Sequence, residues 1–569
     1  MIKTSDKSFQ IFLLLGIFVT ATFVTPWHNF EASVVPKLAS LTIFAGLGCL
    51  FLLKSKNLKV ISSKLFFFSN ILGILLAMVN LLINNQFFSE RVFGVQGRNA
   101  GALTFISLML LTICAYCVSE HVDYRKIVLS IKLSAFVISL YFVVQIQGYD
   151  SASWQDVYGK PSSTLGNPNF VSAYLAIGLV VTLPLLTSRS TSWVAKAMAL
   201  FTSIIELYVI IEIQAFQGFL IIIAAVLFMA VNQAVRVVHR LRINLYFIVS
   251  FCVLLTGTVS LFILSFSAYL GLELYTVKAR IEYWTTGIRM AVDSPIFGQG
   301  FDFYGENYLR FRTQSSDPLT LGLGGNSAHN YFIDIAAFAG FPLLICVLLP
   351  IWMVLSQQIA DLIKSAKTLH NDHGFSPFKL GVFLAWLGFL LQALVSPINI
   401  ALAYLGFILT GFLYQHSKEK QYKPKVIPMS SKNTGKFMIS NSDGYIFKLI
   451  SWLLFLPLAI AIPILGIQPF VSDAKFRKAL EQGNGYSIYK ISMNQPKNFQ
   501  RMEYASKIFL ENKLQNLALP IIRVMVEENP ENIRGWKLLE GASDLEAEKL
   551  LARLRIRALD PWNPEFKDD

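Results

Sequence analysis

The chain has 569 residues, of which 54% are hydrophobic and 15% charged, where a soluble globular protein carries about 25% charged residues. That balance excludes a soluble enzyme and predicts an all-α polytopic membrane protein, long enough at roughly 20 residues per span to hold a dozen helices and a separate soluble domain. The net charge of +14 sits in Lys and Arg clustered in particular loops, with no basic stripe interleaved with aromatics to suggest a nucleic-acid partner. The five cysteines all lie in apolar stretches, which argues against a disulfide framework or a metal-ligand cluster.

Apolar runs long enough to span begin near Gln10, Leu38, Leu65, Ala102, Ile127, Phe170, Ala197, Gly218, Leu245, Tyr331, Leu380, Ile400 and Leu449, thirteen in all. The first follows Lys3 and Lys7 and lacks a small-residue cleavage site, so it reads as a retained helix. Lys54, Lys56, Lys59 and Lys64 follow the second run, Arg236, Arg240 and Arg242 the eighth, and seven lysines from Lys418 to Lys448 the twelfth. Placing these basic loops in the cytoplasm puts the amino terminus inside. Residues 271–330 and everything after Ile467 then lie outside. The expected division is a transmembrane domain over 1–467 and an extracytoplasmic helical domain over 468–569.

Four patches share that outer side. The first runs from Arg91 to Gly101, where glycines around Arg91 and Arg98 let backbone approach an anion closely. Taken alone, such a glycine-rich stretch flanked by arginines is more often only a turn. In the second, Gly166-Asn167-Pro168-Asn169, Pro168 suits a first helical turn and Asn167 a cap, while the same helix start offers N–H groups to a phosphate. The third holds Lys278, Arg280, Tyr283, Trp284 and Arg289 on a helix, followed by Pro295-Ile296-Phe297-Gly298-Gln299-Gly300. Arg280 and Trp284, four apart, share a face that suits a diphosphate beside a sugar or lipid, or simply anchors at headgroup level. The fourth is Ser327-Ala328-His329-Asn330, where an imidazole can take a proton from a hydroxyl, or as a cation hold a leaving diphosphate.

Carboxylates inside apolar runs are costly and point to function. Glu206 and Glu212 lie in the seventh run and Asp334 in the tenth. Glu212, near the outer end, is placed to pair with an arginine of the site, and Glu206 lies deeper.

After Ile467 charges of both signs return with apolar residues at helical spacing. Gln495-Pro496-Lys497-Asn498 recurs 34 residues later as Asn529-Pro530-Glu531-Asn532, and after a further 31 as Asp560-Pro561-Trp562-Asn563. Proline ending one helix and Asn or Asp capping the next at this period predicts tetratricopeptide-like helical pairs. Such a short array is expected to lean on the membrane domain or on a protein partner.

Taken in order, Gly97-Arg98-Asn99, Gly166-Asn167-Pro168-Asn169, Arg280-Ile281-Glu282-Tyr283-Trp284 with Pro295 to Gly300, and His329-Asn330 resemble the O-antigen ligase, or Wzy-C, family over roughly residues 93–414. The resemblance implies a GT-C-like, metal-independent glycosyltransferase without cofactor in the bacterial cytoplasmic membrane. It would use an undecaprenyl-diphosphate-linked glycan donor and a hydroxyl acceptor on a glycan, lipid or protein, acting as ligase, polymerase or protein O-oligosaccharyltransferase. It implies Arg280 and His329 as catalytic residues. Arg280, Arg98, Gln217 and Asn167 would hold the donor, with Tyr283, Trp284, Asn330 and Glu212 toward the acceptor. One departure is that Ala215-Phe216-Gln217-Gly218 stands where many members have Ser-Arg-Gly. Gln217 donates hydrogen bonds but brings no charge, so the diphosphate would have one cation fewer, or Arg98 would have to replace it. The alternative from another class is a carrier of a small anion such as bicarbonate, coupled through Glu206, Glu212 and Asp334.

Overall fold

The computed structural model describes residues 2–54, 64–83, 87–152, 154, 160–241, 274–314, 325–367, 376–414 and 442–563, and no strand occurs among them. In chain order the helices are α1 (Ile2–Thr22), α2 (Val35–Lys54), α3 (Lys64–Ile83), α4 (Phe88–Phe93), α5 (Ala102–Cys117), α6 (Tyr124–Ile146) and α7 (Pro168–Val180). Then follow α8 (Leu183–Thr187), α9 (Trp193–Ile213), α10 (Phe216–Leu241), α11 (Leu274–Asp293), α12 (Tyr304–Phe311), α13 (Tyr331–Lys367), α14 (Pro377–Ala393) and α15 (Ile400–Leu413). The last are α16 (Ser442–Glu481), α17 (Gly485–Met493), α18 (Phe499–Glu511), α19 (Gln515–Glu528), α20 (Ile533–Ala542) and α21 (Glu546–Leu559).

Eight of the described spans are long and apolar enough to cross a membrane, and Lys7–Thr22, α5, α14 and α15 are shorter apolar helices. Together they match every expected run except the one from Leu245, which lies outside the described residues. The chain is a multi-pass helical membrane protein.

Its centre is built from the short helices. Every residue of α5 and of α15 is buried, and the two pack on each other. The 14 residues of α15 make a helix about 21 Å long, short of the roughly 30 Å hydrocarbon core. Loops at the ends of such helices are therefore recessed into the bundle. By contrast α9 and α10 keep most of their apolar surface outward.

Four local rules set the site-bearing ends. Asn167 caps α7, its Oδ1 accepting Asn169 N–H at 2.8 Å, with Pro168 at the first helical position. Asn399 caps α15 by accepting from Ala401 and Leu402. Asn330 does the same for α13, accepting from Phe332 at 3.0 Å and Ile333 at 3.2 Å. The fourth is a break inside α13 at Gly340, whose φ of 79° and ψ of 174° are not helical. Pro342 has no N–H to give Phe338, and the Phe338 carbonyl instead accepts Gly300 N–H at 2.9 Å. The Ala337 carbonyl likewise takes Gln299 N–H at 2.7 Å, and Phe341 N–H goes to Pro295 at 2.8 Å. The Pro295 to Gly300 motif is thus a backbone strap across a broken helix.

The carboxyl-terminal helices pack in sequence on one another around Phe499, Met502, Ile521, Met525, Trp536 and Ile556. Asn498 and Asn532 are both helix caps, to Arg501 N–H at 2.8 Å and Gly535 N–H at 2.9 Å. The expected boundary at 467 falls within the continuous helix α16. This second core reaches into the first, taking in Phe87 and Phe303. The two are also pinned by Arg312 to Asp560 at 2.8 Å, Arg534 to Glu306 at 3.1 Å and Phe499 N–H to Glu90 at 2.8 Å.

Candidate active site

The loops before α5, α7, α13 and α15 are tied to one another. Asp302, buried just beyond the strap, accepts Val95 N–H at 2.7 Å and Ala100 N–H at 3.1 Å and pairs with Arg98. Arg98 also donates to the carbonyls of Asn326 and Asp302. Arg280 of α11 donates to the Val395 carbonyl in the α14 to α15 loop, and Asn399 of that loop donates to Leu165. Lys37 of α2, fully buried, holds the same segment from below, with Nζ donating to the carbonyls of Ser33 at 2.9 Å and Thr164 at 2.5 Å. Four helix amino termini, with their partial positive charge, therefore border one group of loops.

His329 sits within this group. Its backbone is left-handed at φ 51°, its N–H goes to Ser327 Oγ at 3.1 Å, and its ring stacks on Tyr283 with centroids 5.5 Å apart. Tyr283 is set in turn by an edge contact to Tyr308, while its carbonyl accepts the Tyr304 hydroxyl at 2.6 Å. Burial, with the charges of Arg280 and Arg98, pushes the imidazole from its ordinary 6.5 down to about 3. It is a neutral ring within the field of two cations. Burial also lowers Arg280, yet a guanidinium remains charged at neutral pH.

A comparison with protein families bears on the segment that carries His329 and Arg280. Residues 174–348 match the family model described as O-Antigen ligase, Wzy_C. This segment is an O-antigen ligase domain. No curated protein matches the chain. The O-antigen ligase domain contains Gln217, Arg280, Tyr283, Trp284, His329 and Asn330, whereas Arg98 and Asn167 come from the chain before it. Its general activity is glycan transfer.

The remaining expected positions differ in what they do. Gln217 is buried in the ligase domain with Oε1 unpartnered among the described residues, and Trp284 has its buried Nε1 in the same condition. The side-chain oxygens of Asn167 and Asn330 are engaged in capping. Glu212 is exposed and makes no ion pair among the described residues. Glu206 is fully buried and ion-paired with Lys132 of α6 at 2.7 Å, and Asp334 Oδ1 accepts Ala328 N–H at 2.7 Å. The family match gives the carrier reading no support. Sequence reasoning passed over Asp302, Lys37 and Lys132. Asp302 finds Arg98 across 204 residues of chain, and nothing local marks a lone acid after a glycine pair. Among the described residues no group of three or more His, Cys, Asp or Glu is placed to hold a metal ion.

Proposed function

We propose that the protein transfers a glycan from an undecaprenyl-diphosphate-linked donor to a hydroxyl acceptor at the outer face of the cytoplasmic membrane, without a metal. The observation that carries this is the neutral, buried His329 stacked on Tyr283 and flanked by Arg280 and Arg98. A neutral imidazole can accept a proton, and a donor diphosphate bound beside Arg280 and Arg98 would offset the charges that lower its affinity for one. In the proposed step it takes the proton of the acceptor hydroxyl as that oxygen bonds to the anomeric carbon. The bond from the anomeric carbon to the diphosphate breaks, and the electron pair leaves with the diphosphate. Arg280, Arg98 and the bordering helix termini offset the charge that builds there. A lipid diphosphate is already a good leaving group, so positioning and charge suffice for the remainder. Residues 271–330 and the carboxyl-terminal helices would then lie outside the cell membrane, as the distribution of basic loops predicts, with the terminal helices placed to receive a protein partner.

The test is transfer and donor binding with a synthetic polyprenyl-diphosphate glycan. In His329→Ala, transfer should fall by about two to four orders of magnitude, the range for a general acid-base group, with donor affinity within a few-fold of the parent. Loss of donor affinity rescued by His329→Lys would make the residue a diphosphate ligand instead, and full activity in His329→Ala would remove it from the reaction.

A further inference from the structure

Where the chain turns from α1 into α2 it lies against residues 470–481 of α16 and leaves a cleft with about 410 Å³ of water-accessible volume, within the range of small-molecule sites. Its lining includes Trp27, His28, Phe470, Val471, Lys475 and Lys478. The loop wall is fixed. Asn29 Nδ2 donates to the Phe470 carbonyl at 2.9 Å, Arg477 Nη1 donates to the carbonyls of Pro26 and Asn29, and the His28 ring packs on Phe470 with centroids 5.8 Å apart. Trp27 is held on this turn with its ring 67% exposed.

The charge in the cleft is positive and uncommitted. Arg477 and Glu481 offset each other, with Nε and Oε1 2.8 Å apart. Asp473 of the same helix is buried, its carboxylate taken by Glu31 N–H at 3.0 Å and Gln96 Nε2 at 2.7 Å. Lys475 and Lys478 are exposed, and neither ammonium has a partner among the described residues. Like charges three residues apart on a helix repel, and an anion held between them relieves the repulsion.

The depth of the cleft identifies the anion. No charged residue lies between Lys448 and Asp473, and the 24 residues that separate them rise about 36 Å as a helix, slightly more than the roughly 30 Å hydrocarbon core. Lys475 and Lys478 therefore stand at headgroup level, the depth that suits an exposed tryptophan. Toward the bilayer centre Ile460, Ile464, Ile467 and Val471 are all exposed. Their spacing of three or four residues makes one apolar face that leads to the two lysines.

We infer that this cleft binds an acidic phospholipid, with its phosphate between Lys475 and Lys478, its glycerol against Trp27 and an acyl chain along the apolar face of α16. A zwitterionic lipid adds no net charge and leaves the two ammoniums uncompensated, so the site selects a net negative headgroup. It shares no residue with the proposed glycan-transfer centre and does not depend on it.

The test is native mass spectrometry of the full chain in a polyoxyethylene detergent, following the first bound lipid in titrations with phosphatidylglycerol and phosphatidylcholine of the same chains. Phosphatidylglycerol should bind about tenfold tighter, a preference that two lysines at a membrane surface can supply. Lys475→Gln with Lys478→Gln should remove the preference, and Trp27→Ala should weaken both lipids several-fold. Melting in lipid-free detergent should be unchanged, because all three side chains are exposed. Lys490→Gln with Lys537→Gln removes the same charge from exposed positions elsewhere and should keep the preference. Glycerol phosphate, the headgroup chemistry without chains, should not displace the lipid at millimolar concentration. Several outcomes overturn the inference: equal binding of the two lipids, a preference that survives the Lys475 and Lys478 replacements or is lost equally in the control pair, unchanged binding in Trp27→Ala, or displacement by glycerol phosphate. Glycan transfer is not read out, so failure here leaves the transfer proposal untouched.

Discussion

His329 illustrates how much of a residue's chemistry is decided by its neighbours. An exposed imidazole titrates near 6.5, whereas burial and two adjacent guanidinium groups hold this one at about 3. Because the folded state binds the proton less readily than the unfolded chain, His329 costs stability progressively as pH falls from about 6.5 toward 3. His329→Gln should flatten that part of a melting-temperature against pH curve, and an unchanged curve would contradict the burial of the ring. For the free enzyme, kcat/KM should show no break from His329 between about pH 5 and 8. Asp302 makes a second residue-level case, since its carboxylate pairs with Arg98 and also accepts two backbone N–H groups. Asp302→Asn leaves a charge without its partner and should cost about 3 to 5 kcal/mol of stability. In a double-mutant cycle with Arg98→Gln the two losses should be strongly non-additive. Additive losses would mean that the pair does not form.

At the scale of elements, the Pro295 to Gly300 strap and the break in α13 depend on each other. Gly298 has φ 64°, and a Cβ there would lie 2.3 Å from the Phe338 carbonyl carbon. Gly298→Ala should therefore destabilise by more than the roughly 1 kcal/mol of an ordinary glycine replacement. Hydrogen exchange should show lost protection at Gln299 and Gly300, whose N–H groups bond to α13. Protection retained at both would show that the strap holds without the glycine. The strap also shows where sequence reading stops. Spans, caps and the paired Asn498 and Asn532 follow from local period and capping chemistry, and are legible in the sequence. The ordered resemblance proposes Arg98, Arg280 and His329 for one site, and the charges of both arginines act on the imidazole. That Phe338 would give its carbonyl to Gly300 was not legible, because a proline inside a helix tells which acceptor is freed and not which distant donor arrives. Asp302, Lys37 and Lys132 were missed for the same reason, each being completed by chain far away in sequence.

The whole molecule is joined through buried charge. Glu90 of α4 accepts Phe499 N–H from the carboxyl-terminal helices, and burial together with Glu306 raises its carboxyl to about 8. The folded state binds this proton more tightly than the unfolded chain, so its contribution is present below about 4.5 and is lost as pH rises toward 8. Glu90→Gln keeps the acceptor oxygen and should raise the melting temperature at pH 8 more than at pH 5. An equal change at both pH values would mean that Glu90 is not protonated at the junction. A different consequence follows from Lys132 and Glu206, which lie 74 residues apart and meet inside the bundle at 2.7 Å. Alone in lipid, a lysine at a helix centre costs about 2.5 to 3.5 kcal/mol on translocon insertion scales, and α6 has to wait for α9 to relieve it. During synthesis α6 should therefore linger beside the insertion machinery until α9 has emerged. A chain truncated between them should be extracted or degraded, and Lys132→Leu should release α6 into the bilayer early.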